Sequence, residues 1–298
     1  MSERMLGALL VAASAAAFGS MALFGRWAQE SGATTPGLIL VRFVLAAVIL
    51  VGFMRVRDIS FPPTRQWVPI AAMGGFGYVG QAYCYFLALE HADASLVALL
   101  LYLYPAFVAI LAAIFLRERI GLVTAAALVL ALAGTALVVG GGSGRPLGIA
   151  LGIGAAIVYS IYITVGAVVT RGLDAIAVST VVCIAAAGSS ALIVAVLLLT
   201  GHDVSVAGSP RGWVSLGAIA VVCTAVAILA FFAGLRLLGP TSTSVLSTLE
   251  PVVTVGLATT LLGESLGAVQ AIGAALVLAA VIWLALSQRP APAEVPPV

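Results

Sequence analysis

The 298-residue sequence has no lysine, only two histidines and three cysteines, and charged side chains make up 8% of it against 63% hydrophobic. A water-soluble chain of this size needs many charges to coat its surface, so a soluble fold is excluded. Without lysine no glycine-rich phosphate loop with its lysine can exist, and nucleotide-driven work would need another subunit. His91 and His202 lie far apart in sequence, and no cluster of His, Cys or carboxylates has metal-ligand spacing, so no metal and no cofactor is implied. Ser189 and Ser190 follow Gly188, yet no histidine base falls within an apolar run, which leaves no enzyme reading. Cys84, Cys183 and Cys223 sit in three different apolar runs, where they read as small buried side chains rather than a disulfide frame. The net charge of +2 is carried by scattered residues, which excludes a nucleic-acid partner.

What the sequence does have is a series of apolar runs of roughly 20 residues, the length that crosses the ~30 Å hydrocarbon core of a bilayer as a helix. An all-α membrane protein of ten spans is expected, at about 5–25, 34–54, 67–89, 93–115, 121–139, 146–169, 175–199, 212–235, 240–262 and 267–286. The first run follows Arg4 as a signal peptide would, but it is long enough to span and has a counterpart later in the chain, so it is read as a helix. Connections such as Ala88 to Asp93, Arg117 to Gly121 and Gly263 to Gly267 predict tight helical hairpins, and the proline-rich residues 289–298 predict a disordered tail. Ten spans put both termini on one side. That side carries Arg4, Arg55, Arg57, Arg65, Arg117, Arg119, Arg171, Arg236 and Arg289, against Arg26, Arg145 and Arg211 opposite. The positive-inside rule therefore predicts cytoplasmic termini, in the inner membrane of a cell. Trp27, Trp67, Trp213 and Trp283 fall near predicted helix ends, where indole rings prefer the interface.

The chain also matches itself. At an offset of 146 residues Phe86 falls on Phe232, Ser95 on Thr241, Leu103 on Leu249, Pro105 on Pro251, Glu118 on Glu264 and Gly121 on Gly267. At 141, Gly7 falls on Gly148, Ala15 on Ala156 and Phe18 on Tyr159. Two five-helix repeats follow, at 1–140 and 145–288. An odd number of helices per repeat makes the second enter the membrane inverted, the arrangement from which alternating access is built.

Leu249-Glu250-Pro251-Val252-Val253, then Leu262-Gly263-Glu264-Ser265-Leu266, Gln270 and Gly273, resemble the C-terminal motif of the EamA-type transporters of the drug/metabolite transporter superfamily. The first half carries a looser copy in Tyr104-Pro105 and Leu116-Arg117-Glu118-Arg119, with Arg117 where the family often has Gly and Thr124 where it often has Gln. Pro36 followed by Arg42-Phe43 fits the same pattern. The resemblance covers nearly the whole chain and implies export of small metabolites, amino acids foremost. Broad drug or quaternary-amine efflux stands as an alternative, with a membrane channel or non-transporting scaffold as a second.

Several residues are singled out for that work. Arg42 lies ~12 Å into its helix, where a charge costs roughly 2.5–3.5 kcal/mol or more and must face protein or water. Glu250 lies at comparable depth from the other side. The two can pair, or Arg42 can draw a substrate carboxylate and Glu250 carry a coupling proton. Pro105 and Pro251 break the fourth and ninth helices, leaving the carbonyls of Leu101 and Ser247 without their usual partner. Tyr78, Gln81 and Tyr85 fall on one helical stripe that should face the interior. Phe18, Tyr102, Tyr104, Tyr159 and Tyr162 add aromatic surface at similar depth for an amphipathic solute. Thr241, Ser244, Ser247 and Thr248 offer hydroxyls before Glu250 that can bind solute or simply hydrogen-bond neighbouring helices, and Thr248 is counted among the substrate-binding candidates. Glu118 and Glu264, related by the repeat, are read as capping or gating groups at opposite membrane faces. A small-molecule substrate and the lipid bilayer are the expected partners, proton coupling and downhill transport both stay open, and oligomeric state is left unassigned.

Overall fold

A computed structural model describes residues 3–89, 91–92, 97, 100–140, 144–261 and 267–287. Among them every extended element is helical, as lipid requires of backbone that must satisfy its own hydrogen bonds. The helices are α1 (Glu3–Gly19), α2 (Met21–Glu30), α3 (Thr35–Val56), α4 (Thr64–Ala72), α5 (Val79–Leu89), α6 (Tyr104–Phe115) and α7 (Leu122–Val139) in the first half. The second half contributes α8 (Pro146–Val169), α9 (Ala175–Leu199), α10 (Pro210–Ala220), α11 (Ala227–Leu238), α12 (Pro240–Leu246), α13 (Leu249–Leu261) and α14 (Ala268–Ser287). Six runs, 3–30, 35–56, 146–169, 175–199, 210–238 and 240–261, are long and apolar enough to cross a membrane among the described residues, and three shorter apolar helices accompany them. Prolines begin α3, α8, α10 and α12, where a missing N–H costs nothing. Asp174 caps α9 by accepting from the N–H groups of Ile176 (2.8 Å) and Ala177 (3.2 Å).

The helices pair across the two halves. α1 packs on α11, and its counterpart in the second half, α8, packs on α5; α3 packs on α9, and α7 on α14. Each pairing maps onto itself or onto another when the halves are exchanged, so the duplication read from the sequence is also written in the packing. Glycine lets α7 and α14 touch backbone to backbone: a Cβ on Gly273 would stand 2.6 Å from the Gly134 carbonyl oxygen, and one on Gly134 2.8 Å from that of Gly273.

Five places depart from regular helix. The first span bends at Ser20, between α1 and α2, and continues to Glu30, so the backbone of Arg26 is helical rather than in the connection expected for it. A π-helical segment at Met73–Tyr78 lies between α4 and α5, and another at Val221–Val226 lies between α10 and α11. The chain turns at residues 102–103 before Tyr104-Pro105 start α6, and at 247–248 before Leu249 starts α13. Both prolines therefore occupy the first turn of a new helix rather than a helix centre. The Ser247 carbonyl, expected to lack a partner, accepts from the Glu250 N–H at 3.0 Å, because the turn tightens to a three-residue hydrogen-bond step. Glu250 is then the second residue of α13, where the helix dipole favours its charge, and not nine residues inside a continuous helix.

Candidate functional site

Arg42 lies in the middle of α3, 7% exposed. Its Nε–H donates to Thr224 Oγ1 at 2.8 Å, one Nη1–H to Met21 Sδ at 3.2 Å, and one Nη2–H to the Tyr78 hydroxyl. Each acceptor belongs to an irregular stretch. Met21 opens α2 just after the bend at Ser20, Tyr78 ends the first π-helical segment, and Thr224 lies within the second. The Thr224 hydroxyl in turn donates to the Ile219 carbonyl five residues back (2.8 Å), the spacing a π-turn opens. Tyr78 and Thr224 are 146 residues apart, the offset of the internal repeat, so one guanidinium ties together equivalent points of the two halves.

The fourth irregularity brings Glu250. A Cβ on Gly19, beside the bend of the first span, would stand 2.7 Å from the Glu250 carbonyl oxygen, and the Thr254 hydroxyl donates to the Gly19 carbonyl at 2.9 Å. The Glu250 side chain is partly accessible. Among the described residues no hydrogen bond reaches its carboxylate, and it forms no ion pair with Arg42, whose bonds go elsewhere. The two charges nonetheless act on each other through space.

A band of aromatic rings runs from the guanidinium. The Tyr78 ring meets Phe43 at 5.3 Å edge-on and Tyr162 at 5.7 Å, with Arg42 5.4 Å over its own centroid. Tyr162 stacks on Tyr159 (6.1 Å, 18°), Tyr159 meets Tyr104 at 4.7 Å, and Tyr104 meets Tyr102 at 6.4 Å. The Tyr104 hydroxyl points to the Ser244 carbonyl of α12 at 3.5 Å, joining the two broken helices. The structure thus brings Arg42, Tyr78, Tyr102, Tyr159, Tyr162 and Glu250 together. Phe18 packs against the same core, and Gln81 and Tyr85 follow on α5, both partly accessible. Thr248 is buried, and its hydroxyl donates to the Val245 carbonyl (2.6 Å) within the ninth-span turn. Thr224 and Met21 went unnoticed in the sequence; the repeat offset from Tyr78 points straight to Thr224, whereas nothing marks Met21.

Glu118 stands apart from this centre, beside the start of α12. A Cβ on Gly239, whose positive φ of 78° suits glycine, would lie 3.9 Å from its Oε1. Burial pushes its carboxyl above the usual range, and Thr241 opposes that rise. Thr241 is close enough to favour the charged form, yet Glu118 Oε2 and Thr241 Oγ1 are buried without a well-formed hydrogen bond. Glu118 also lines a cavity of about 420 Å³ with Arg4, Arg119, Thr124, Ser242 and Ser287. Glu264 and Ser95, the repeat counterparts of Glu118 and Thr241, lie outside the described residues.

Comparison with known proteins adds the following. The model of the EamA-like transporter family matches twice, at residues 5–140 and 146–286. The pseudopaline exporter CntI of Pseudomonas aeruginosa is 35% identical over 95 residues, which span 31% of this chain and 32% of that protein. The uncharacterized transporter YcbK of Bacillus subtilis is 23% identical over 284 residues, 91% of this chain and 90% of that one. A protein of known crystal structure, 22% identical, superposes with a TM-score of 0.80 over 94% of this chain and 97% of its own length, a likeness of fold alone.

Proposed function

The chain belongs to the EamA-like transporter family, and from that premise we propose that it exports small amphipathic metabolites, amino acids with aromatic side chains foremost, by alternating access. One observation carries the reading: four helix irregularities, two of them repeat-related, converge on a buried arginine, a carboxylate without a hydrogen bond among the described residues and a band of tyrosines. Irregular backbone at membrane depth is tolerated where it lines a cavity or packs on protein, and transporters place their sites there. In this reading ten spans form two inverted five-helix repeats, 1–140 and 145–288, in a cell inner membrane with cytoplasmic termini. The direction of transport is supported by the exporter that matches about a third of the chain.

The test is efflux from proteoliposomes preloaded with labelled phenylalanine, a quaternary ammonium ion or a nucleoside. Phenylalanine efflux is the expected result; efflux of the organic cation alone would replace this assignment with cation efflux. Glu250 is the group a coupling proton would neutralise, so Glu250→Gln should abolish any stimulation by a pH gradient. Unchanged stimulation removes it from that role.

We propose Glu118 as a cytoplasmic gating group acting on the start of α12. Its raised pKa belongs to the state in which it is buried, so that state binds more protons. Its population is favoured at low pH and lost as pH rises through the raised value, by at most about tenfold per pH unit for a single group. Glu118→Gln, which mimics the protonated form, should flatten the dependence of phenylalanine efflux on cytoplasmic-side pH. A profile identical to the wild type would make Glu118 a helix cap only.

A further inference from the structure

Resting on the transporter reading, we infer that the central site is built for a zwitterion, with Arg42 taking the carboxylate and Glu250 the ammonium group of one solute. The charges themselves lead there. Arg42 bonds Met21 just after the bend at Ser20, and Glu250 packs on Gly19 just before it, so two opposite charges flank one bend; yet among the described residues they make no ion pair and no hydrogen bond reaches the Glu250 carboxylate. A charge at membrane depth without a hydrogen-bonded partner is costly. A monocation would satisfy Glu250 and add a second positive charge beside Arg42; a monoanion would do the reverse. A solute carrying both groups completes both ends at once.

The donors left over fit this assignment. A guanidinium carries five N–H groups, and Arg42 commits three, to Thr224, Met21 and Tyr78. The Met21 thioether is a weak acceptor that a carboxylate displaces. The bonds to Thr224 and Tyr78 fix the plane of the group, so a carboxylate meets a preorganised fork rather than a mobile chain. Because those two acceptors are repeat-related, Arg42 stays at the junction of the halves whichever of them has opened. The Tyr78 ring lies beside the guanidinium and Tyr162 and Tyr159 continue from it, so an aromatic or apolar remainder of the solute would meet an aromatic band. The class of solute is an amino carboxylate with an aromatic or otherwise apolar side chain.

The experiment is competition in wild-type proteoliposomes. Entry of labelled phenylalanine is inhibited by unlabelled phenylalanine, by phenylalanine amide, which lacks the carboxylate, or by N-acetylphenylalanine, which lacks the ammonium. Each derivative is expected to compete roughly tenfold or more weakly, the worth of one hydrogen bond to a charged group. Arg42→Gln should erase the difference between phenylalanine and its amide, and Glu250→Gln that between phenylalanine and the N-acetyl compound. A purely structural role for either residue would weaken all three competitors together. Size-exclusion elution of each variant checks its fold, and the wild-type series stands without any variant. Competition by the amide or the N-acetyl compound as strong as by phenylalanine overturns the zwitterion site while leaving transport intact. Absence of phenylalanine flux, with flux of an organic cation in the same vesicles, contradicts the underlying transporter assignment instead.

Discussion

Replacing Arg42 with glutamine is expected to lower phenylalanine flux by roughly 10- to 100-fold, the range a lost hydrogen bond to a charged group produces. The direct loss is the anchor for the substrate carboxylate. An indirect loss accompanies it: the Thr224 and Tyr78 oxygens no longer receive their donors, so each π-helical segment loses a hydrogen bond to α3. Glu250 also loses the compensating charge that acts on it through space. Arg42→Lys should recover part of the flux, because it restores the charge, but not all of it. An ammonium on a flexible stem cannot address Thr224, Tyr78 and a carboxylate with one planar fork. Initial rates over a range of phenylalanine concentrations check this, and equal rates for Arg42, Gln and Lys at that position would remove Arg42 from the site.

Gly74→Leu is expected to be among the most damaging substitutions that touch no charged group. Gly74 lies in the first π-helical segment, where a Cβ would stand 2.4 Å from the Val182 carbonyl oxygen and 2.9 Å from its Cα. Both obstacles are backbone of α9, so no rotamer change relieves the clash, and overpacking of this kind costs about 1–3 kcal/mol or more. The displaced segment ends at Tyr78, so the damage should reach the Arg42 hydrogen bond as well as stability. Gly80→Leu, six residues along the same span, is the control, because nothing lies within 4 Å of its Cβ position. The expected result is a lowered melting temperature and lost flux for Gly74→Leu, with a melting temperature near that of the wild type for Gly80→Leu.

The apolar runs, the repeat and the two intramembrane charges were legible because each leaves a mark in composition or spacing. The prolines announced the interruptions of the fourth and ninth spans but not their form, since a proline is equally compatible with a kink and with the first turn of a new helix. The bend at Ser20 carries no proline and no obvious signal. The π-helical segments are harder still. Gly74, Gly75 and Gly77 hint at the first, whereas Val221–Val226 reads as ordinary apolar helix. Their causes are tertiary, a close backbone approach at Gly74 and a hydroxyl at Thr224 that both donates and accepts. The separation of Arg42 from Glu250 was equally hidden, because it depends on where the ninth span turns and not on depth counted along a straight helix. Stripe arithmetic grouped Tyr78 with Gln81 and Tyr85, but it could not show that the Tyr78 hydroxyl accepts from the guanidinium.

Counterflow tests the central claim most directly. Proteoliposomes loaded with a high concentration of unlabelled phenylalanine are diluted into a trace of labelled phenylalanine, with equal pH on both sides. A site exposed alternately to the two faces predicts saturable entry and a transient accumulation of label above its outside concentration, both reduced roughly 10- to 100-fold in Arg42→Gln. Entry that rises linearly with concentration and is not accelerated by the internal load would contradict alternating access and indicate a pore.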